Sequence, residues 1–173
     1  MQKNKTLIAY YSRKGQNYVG GSIVNLPIGN TEVVAKKIQE ITGSDLFEIN
    51  TVKVYPKDYT ETTHVAMDEK KSNARPELTA AVDGMEDYEV IYLGYPNWWS
   101  TFPMAVCTFL ESYDFSGKTI IPFCTHEGSG LGNSERDIKK LCPDAKVLSA
   151  LAIRGGSVGR ADNEIKNWLK KSD

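Results

Sequence analysis

The 173-residue chain predicts an α/β fold: a three-layer, doubly wound, five-stranded parallel sheet with helices on both faces. Three observations carry that expectation. Short apolar runs alternate with helix-length amphipathic stretches, the pattern of repeated strand–helix units. The middle runs, Val90-Ile91-Tyr92-Leu93-Gly94-Tyr95 and Thr119-Ile120-Ile121-Pro122-Phe123, are apolar at successive positions, as strands covered on both faces are. The length suits one domain, residues 1–173, and is too short for two cores and a linker.

The elements follow in order. Thr6-Leu7-Ile8-Ala9-Tyr10-Tyr11 reads as the first strand. A helix over 31–42 puts Val34, Ile38 and Ile41 on one face, and Gly43 ends it in the left-handed conformation. Leu46-Phe47-Glu48-Ile49 is the second strand, and the polar stretch 59–73 is weakly helical. After the third strand, a helix over 103–111 carries Pro103 in its first turn. After the fourth, Ser134-Glu135-Arg136-Asp137 resembles a capping box opening a helix with Ile138 and Leu141 inward. Residues 147–153 form the fifth strand, and a helix over 162–171 buries Ile165, Trp168 and Leu169.

Composition narrows the function. With 40% hydrophobic and 25% charged residues, disorder, collagen-like and coiled-coil classes are excluded. Lys plus Arg number 21 against 22 Asp plus Glu, so there is no electrostatic case for nucleic acid or an anionic membrane as partner. No apolar run approaches the roughly 18 residues needed to cross a bilayer, and the first residues do not read as a signal peptide. A cytoplasmic location is expected. Cys107, Cys124 and Cys142 are widely spaced, form no C-x-x-C, and have only His64 and His126 to join them. They read as reduced thiols, Cys107 and Cys124 as small core residues, and no metal site is expected.

In an open parallel sheet, ligands bind beyond the carboxyl ends of the strands. Three loops lie there: 12–31, 96–102 and 125–133. The first opens Ser12-Arg13-Lys14-Gly15-Gln16-Asn17 and closes Gly29-Asn30-Thr31 at a helix start. Backbone N–H groups and the Ser12 and Thr31 hydroxyls make it a candidate anion site, with simple capping by Asn30 or Thr31 as the alternative. The apolar stretch 18–28 between these ends is expected to form a small hairpin or excursion. Residues 15–22 nearly match a nucleotide-triphosphate loop, but Gly21 stands where the lysine is required, so ATP or GTP hydrolysis is set aside.

The second loop, Tyr95-Pro96-Asn97-Trp98-Trp99-Ser100-Thr101, holds adjacent tryptophans that cannot both face the core. At least one ring, Trp99 by preference, is expected to stack on a planar ligand; the alternative is one ring packed under the loop and the other on a partner chain. The third, Thr125-His126-Glu127-Gly128-Ser129-Gly130-Leu131-Gly132, lets the backbone approach a ligand, or is a mobile turn. His126 is a possible acid or base, more simply a surface group. Gly155-Gly156-Ser157-Val158-Gly159 matches a nucleophile elbow, but no histidine follows Ser157.

Together, Tyr11-Ser12-Arg13-Lys14-Gly15 with Gly29-Asn30-Thr31, Tyr95-Pro96-Asn97-Trp98-Trp99, and Thr125-His126-Glu127-Gly128-Ser129-Gly130 resemble the flavodoxin-like family, in its subgroup with an interrupted phosphate loop and a P-x-W-W loop. The resemblance covers nearly the whole chain. It implies strand order 2-1-3-4-5 and non-covalent FMN. By the same resemblance Ser12, Arg13, Lys14, Asn30 and Thr31 hold the phosphate, with Asn17 there or at the ribityl chain. Pro96, Asn97, Trp98 and Trp99 flank the isoalloxazine; Thr125, Glu127, Gly128 and Ser129 line its other edge. It implies an electron carrier with no catalytic side chain, serving a redox partner protein or a small-molecule acceptor. An NAD(P)H-dependent quinone reductase and a flavin-free binding module are the competing readings. The near-even charge weakens long-range steering onto a basic partner. The family's peptide reversal beside the flavin calls for a residue at positive φ, and the 97–101 loop has no glycine. Placing Ser100 there is expected to cost about 1 kcal/mol and to bias the loop against that reversal.

Overall fold

The computed structural model describes residues 4–173. β1 (Lys5–Tyr10) leads into a hairpin of β2 (Gly15–Val19) and β3 (Ser22–Leu26), then α1 (Asn30–Thr42) and β4 (Asp45–Glu48). α2 (Tyr59–Lys71), β5 (Tyr88–Pro96), α3 (Met104–Glu111) and β6 (Thr119–His126) follow. The chain ends with α4 (Ser134–Leu141), β7 (Lys146–Val147), β8 (Leu151–Arg154) and α5 (Asp162–Ser172).

The main sheet runs β4-β1-β5-β6-β7, with β8 on the same edge of β6, and every pairing in it is parallel. By position this is the order 2-1-3-4-5. Alternate residues serve opposite faces, as strand geometry requires. Ile8, Tyr10, Tyr92, Ile121 and Phe123 pack with α1 and α5 through Val34, Ile38, Ile165 and Trp168. Leu7, Ala9, Ile91, Leu93 and Tyr95 pack with α3 and α4 through Val106, Phe109, Leu110 and Ile138.

Several expectations are corrected. The fifth strand is two pieces. Leu148 N–H still bonds Ile120 O at 3.0 Å, but Ser149 O accepts from Trp168 Nε1 at 3.1 Å instead of joining the sheet. Backbone groups two residues apart face the same neighbouring strand, so Pro122 faces this edge as Ile120 does, and it has no N–H to offer. The α4 capping box does not form. Asn133 is the cap and makes no side-chain capping bond, while the fully buried Ser134 hydroxyl pairs with Tyr95 OH at 2.9 Å. On α1, Val34 and Ile38 are buried but Ile41 is 42% exposed. Gly43 ends that helix at φ 71°. Asp58 caps α2 by accepting from Glu61 N–H at 2.8 Å.

Candidate functional site

The carboxyl ends of β1, β5 and β6 bring the three loops together around two adjoining cavities of about 240 and 250 Å³. They share Arg13, Asn17, Tyr59, Asn97 and Trp98. The smaller adds Tyr18, Asn30, Thr31, Pro96, Thr125, His126, Glu127 and Ser129. The larger lies against α2 and adds Thr62, Thr63, Ala66 and Trp99. Together they fall within the range of roughly 300–1,000 Å³ usual for small-molecule sites. Of the residues expected to hold a cofactor, Arg13, Asn17, Asn30, Thr31, Pro96, Asn97, Trp98, Thr125, Glu127 and Ser129 line the smaller cavity. Trp99 lines only the larger, and Ser12, Lys14 and Gly128 line neither.

Ser12 Oγ accepts from Glu32 N–H at 3.1 Å, capping α1 from across the interrupted loop. The two ends of that loop touch: a Cβ at Gly29 would stand 2.2 Å from Ser12 Oγ and 2.6 Å from Arg13 O, so only glycine fits. Thr31 and Thr125 are 2% and 4% exposed, and their hydroxyls lie 2.8 Å apart. One of the two O–H groups donates to the other, so the pair keeps one spare donor. Arg13 turns its guanidinium to carbonyls, Nε to Gln16 O at 2.9 Å and Nη2 to Pro56 O and Lys57 O at 3.1 Å each. Burial lowers its pKa from the ordinary value. Lys14 is exposed. Asn17 donates to Arg13 O at 2.9 Å and Gly15 O at 3.2 Å.

The apolar stretch is a hairpin, as expected, but its first strand begins at Gly15. It is pinned at both ends. Gln16 Oε1 accepts from Tyr59 N–H at 2.8 Å, and the Tyr18 and Tyr59 rings stack at 6.3 Å. At the tip, Gly20 N–H donates to Glu127 Oε2 at 3.1 Å. Glu127 Oε1 is buried and has no hydrogen-bond partner among the described residues.

The tryptophan loop is a tight turn. Trp98 N–H donates to Thr101 O at 2.7 Å, and Trp99 and Ser100 have φ of 55° and 70°. Two successive left-handed residues are the mark of a type I′ turn, usually built from glycine or asparagine. The expected obstacle at Ser100 is therefore already present in the turn. Partners distant in sequence hold it: Asn133 N–H donates to Ser100 O at 2.6 Å, and the Lys70 ammonium donates to Trp99 O. Asn97 accepts from Ser100 N–H at 3.0 Å and donates to Gly130 O at 2.7 Å, tying this loop to the next. The Trp98 ring meets Tyr11 and Tyr55 edge-on at 5.2 and 5.5 Å. Trp99, 43% exposed, donates through Nε1 to Thr63 O at 2.9 Å.

His126 Nδ1 accepts from Gly128 N–H at 2.9 Å, so the neutral ring carries its proton on Nε2. Burial, and then the Arg154 charge, hold its pKa below the ordinary value. All three cysteines are buried free thiols. Burial pushes Cys107 and Cys142 up to about 11 and Cys124 to about 12, so they stay protonated at neutral pH. Sequence reasoning missed Tyr18 and Tyr59. Neither sits in a motif, and nothing local announces that a hairpin and a helix start will meet.

A parallel sheet in this order, with a hydroxyl- and aromatic-lined cleft at its carboxyl edge, defines a doubly wound cofactor-binding class. Within that class the chain belongs to the Flavodoxin family, whose model matches residues 22–172. A protein of Bacteroides eggerthii DSM 20697 described as a flavoprotein is 28% identical, with 98% of each chain covered and a TM-score of 0.77. One from Bacteroides uniformis ATCC 8492, described likewise, is 29% identical, with 98% and 99% covered and a TM-score of 0.73. The fold is also that of a flavoprotein from Lactobacillus acidophilus NCFM solved in complex with FMN, at 23% identity, 96% and 99% coverage and a TM-score of 0.67. No curated protein matches the chain.

Proposed function

We propose that this protein binds FMN in the cleft these cavities form and works as an electron-transfer flavoprotein. The observation that carries the reading is the meeting of three separate segments in one wall: Asn30 and Thr31 at the start of α1, Trp98 after β5, and Thr125 and His126 at the end of β6 with Glu127 and Ser129 just after it. The donor and acceptor set fits the cofactor. The Thr31–Thr125 pair offers a spare O–H to a phosphate at a helix N-terminus. The orphaned Glu127 Oε1 offers an acceptor to a hydroxyl or ring N–H. Trp98, packed from behind by Tyr11 and Tyr55, presents a fixed aromatic face. Membership of the Flavodoxin family supports the same reading.

Bound FMN supplies the redox chemistry. The chain orients it: Ser12 fixes the start of α1, Asn97 ties the two ring loops together, and the pinned hairpin covers the cleft. A second reading, an NAD(P)H-dependent reductase of small acceptors, is favoured by one observation, the additional cavity against α2. Anaerobic incubation of FMN-loaded protein with NADH or NADPH and a quinone separates the two. A carrier leaves the nicotinamide unoxidised; steady turnover establishes the reductase. Purified protein that takes up no FMN defeats both.

A further inference from the structure

Away from the cleft, a cavity of about 300 Å³ opens where the end of α2, the first turn of α3 and the last turn of α4 meet. It shares no lining residue with either cavity of the cleft, and by itself it reaches the roughly 300 Å³ at which small-molecule sites begin. It backs onto the tryptophan turn. Thr101, which closes that turn, and Lys70, which donates to Trp99 O, are both in its walls. We propose that it binds a small amphipathic carboxylate, an acid with a compact apolar tail.

The floor suits the tail. Phe102, Met104 and Cys107, otherwise buried in the core, end at this cavity beside the half-buried Leu141. Burial keeps the Cys107 thiol protonated at neutral pH, so it adds no charge. Roughly 150 Å³ accommodates benzene, so about 300 Å³ leaves room for an acid of about six to eight carbons.

The rim suits the headgroup. Four charged side chains line the cavity: Lys70, Arg75, Asp137 and Lys140. Two of them are already answered by groups outside it. Arg75 pairs with both carboxylate oxygens of Glu111, at 2.8 and 2.9 Å. Asp137 faces Arg136 at 3.3 Å, and it also accepts from Thr101 Oγ1 at 2.7 Å. The two lysines are not answered. Lys70 has only the neutral Trp99 carbonyl as partner, and Lys140 has no hydrogen bond or ion pair among the described residues. Each ammonium carries three donors, so both keep some for an arriving carboxylate. A charge-assisted hydrogen bond is about twice as strong as a neutral one, which favours an acid over its amide. Burial of the tail on the apolar floor favours it over a bare anion.

The test titrates the full-length, FMN-loaded protein with octanoate, octanamide and acetate, followed by calorimetry and by NMR of the methionine methyl groups. Octanoate should bind saturably, octanamide at least tenfold more weakly, and acetate without saturation over the same range. Binding should move the Met104 methyl resonance and leave Met67 and Met85, which line neither this cavity nor the cleft, in place. Lys140→Glu reverses a charge at an exposed position, so the fold tolerates it. That variant should weaken octanoate at least tenfold and move FMN affinity by less than twofold. Saturation that leaves Met104 unmoved overturns the proposal, because the acid would then bind elsewhere. Equal affinity for acid and amide, indifference to Lys140→Glu, or no saturation below the micelle threshold of octanoate overturns it too. Protein that holds no flavin leaves each of these readouts in place, because no wall of this cavity belongs to the cleft.

Discussion

Replacing the Thr31 and Thr125 hydroxyls with methyl groups separates what they do for the fold from what they do for the cofactor. The two O–H groups lie 2.8 Å apart and are almost wholly buried. Thr31→Val keeps the shape but strands the Thr125 hydroxyl out of water. An unsatisfied buried hydroxyl costs about 1–3 kcal/mol. Thr31→Val/Thr125→Val removes both polar groups, and no partner is left stranded. The double variant should therefore be more stable than the single, recovering most of that loss. Binding behaves differently. The double variant lacks the spare O–H, and a hydrogen bond to a charged phosphate is worth about 1.5–3 kcal/mol. At about 1.36 kcal/mol per tenfold, FMN should bind roughly 10- to 150-fold more weakly. Riboflavin has no phosphate and should change less than about threefold. Urea unfolding of the cofactor-free protein and quenching of flavin fluorescence measure the two effects. A double variant no more stable than the single would show that the hydroxyls do not satisfy each other. Riboflavin weakened as much as FMN would refute the phosphate role.

Trp98→Ala should cost about 3 kcal/mol and abolish quenching of bound flavin, because that ring packs against two tyrosines and lines both cavities. Trp99→Ala loses one exposed hydrogen bond, about 0.5–1.5 kcal/mol, and should keep the quenching; the opposite result on flavin fluorescence would assign the stacking ring to Trp99. Ser100→Gly relieves a left-handed residue, worth about 1–2 kcal/mol, against about 0.5–1 kcal/mol of added chain entropy. A small gain in urea midpoint is expected, and a loss would mean that the turn carries no strain. For His126 the folded pKa lies below the unfolded one, so the native state favours the neutral ring. Its stabilising effect is complete above the ordinary value of about 6.5 and is lost as pH falls below it. His126→Gln should flatten that part of the stability profile, and an unchanged acid limb would remove His126 from the account.

The alternation of strands and helices was legible because strands buried on both faces write long apolar runs into the chain. The break in the fifth strand was not. Its cause, Pro122, sits in the neighbouring strand and removes a donor from an edge that the sequence of 147–153 does not display. The shifted start of α4 has the same character: Tyr95, 39 residues away, needs a buried partner for its phenol and takes the Ser134 hydroxyl. The three loops of the site could be found because their composition is local. The conformation of Trp99 and Ser100 could not, since Lys70 and Asn133 hold it from other elements. Arg13 is the sharpest case. Its place in a phosphate-like loop suggested one partner, and the carbonyls of Pro56 and Lys57 supply another.

The contact between Gly29 and residues Ser12 and Arg13 makes the hairpin a cassette. The chain leaves the sheet and re-enters α1 at nearly the same point, so the excursion adds no span for the rest of the domain to bridge. With the ends held together, lengthening the excursion is cheap, since each doubling of its length adds only about 0.6 kcal/mol of closure entropy. The hairpin brings Asn17 and Tyr18 to the cleft, while Thr31, Thr125 and the sheet register are set without it. The hairpin edge of the cleft is thus open to trimming, lengthening or exchange as a modular part, beside walls that keep their geometry.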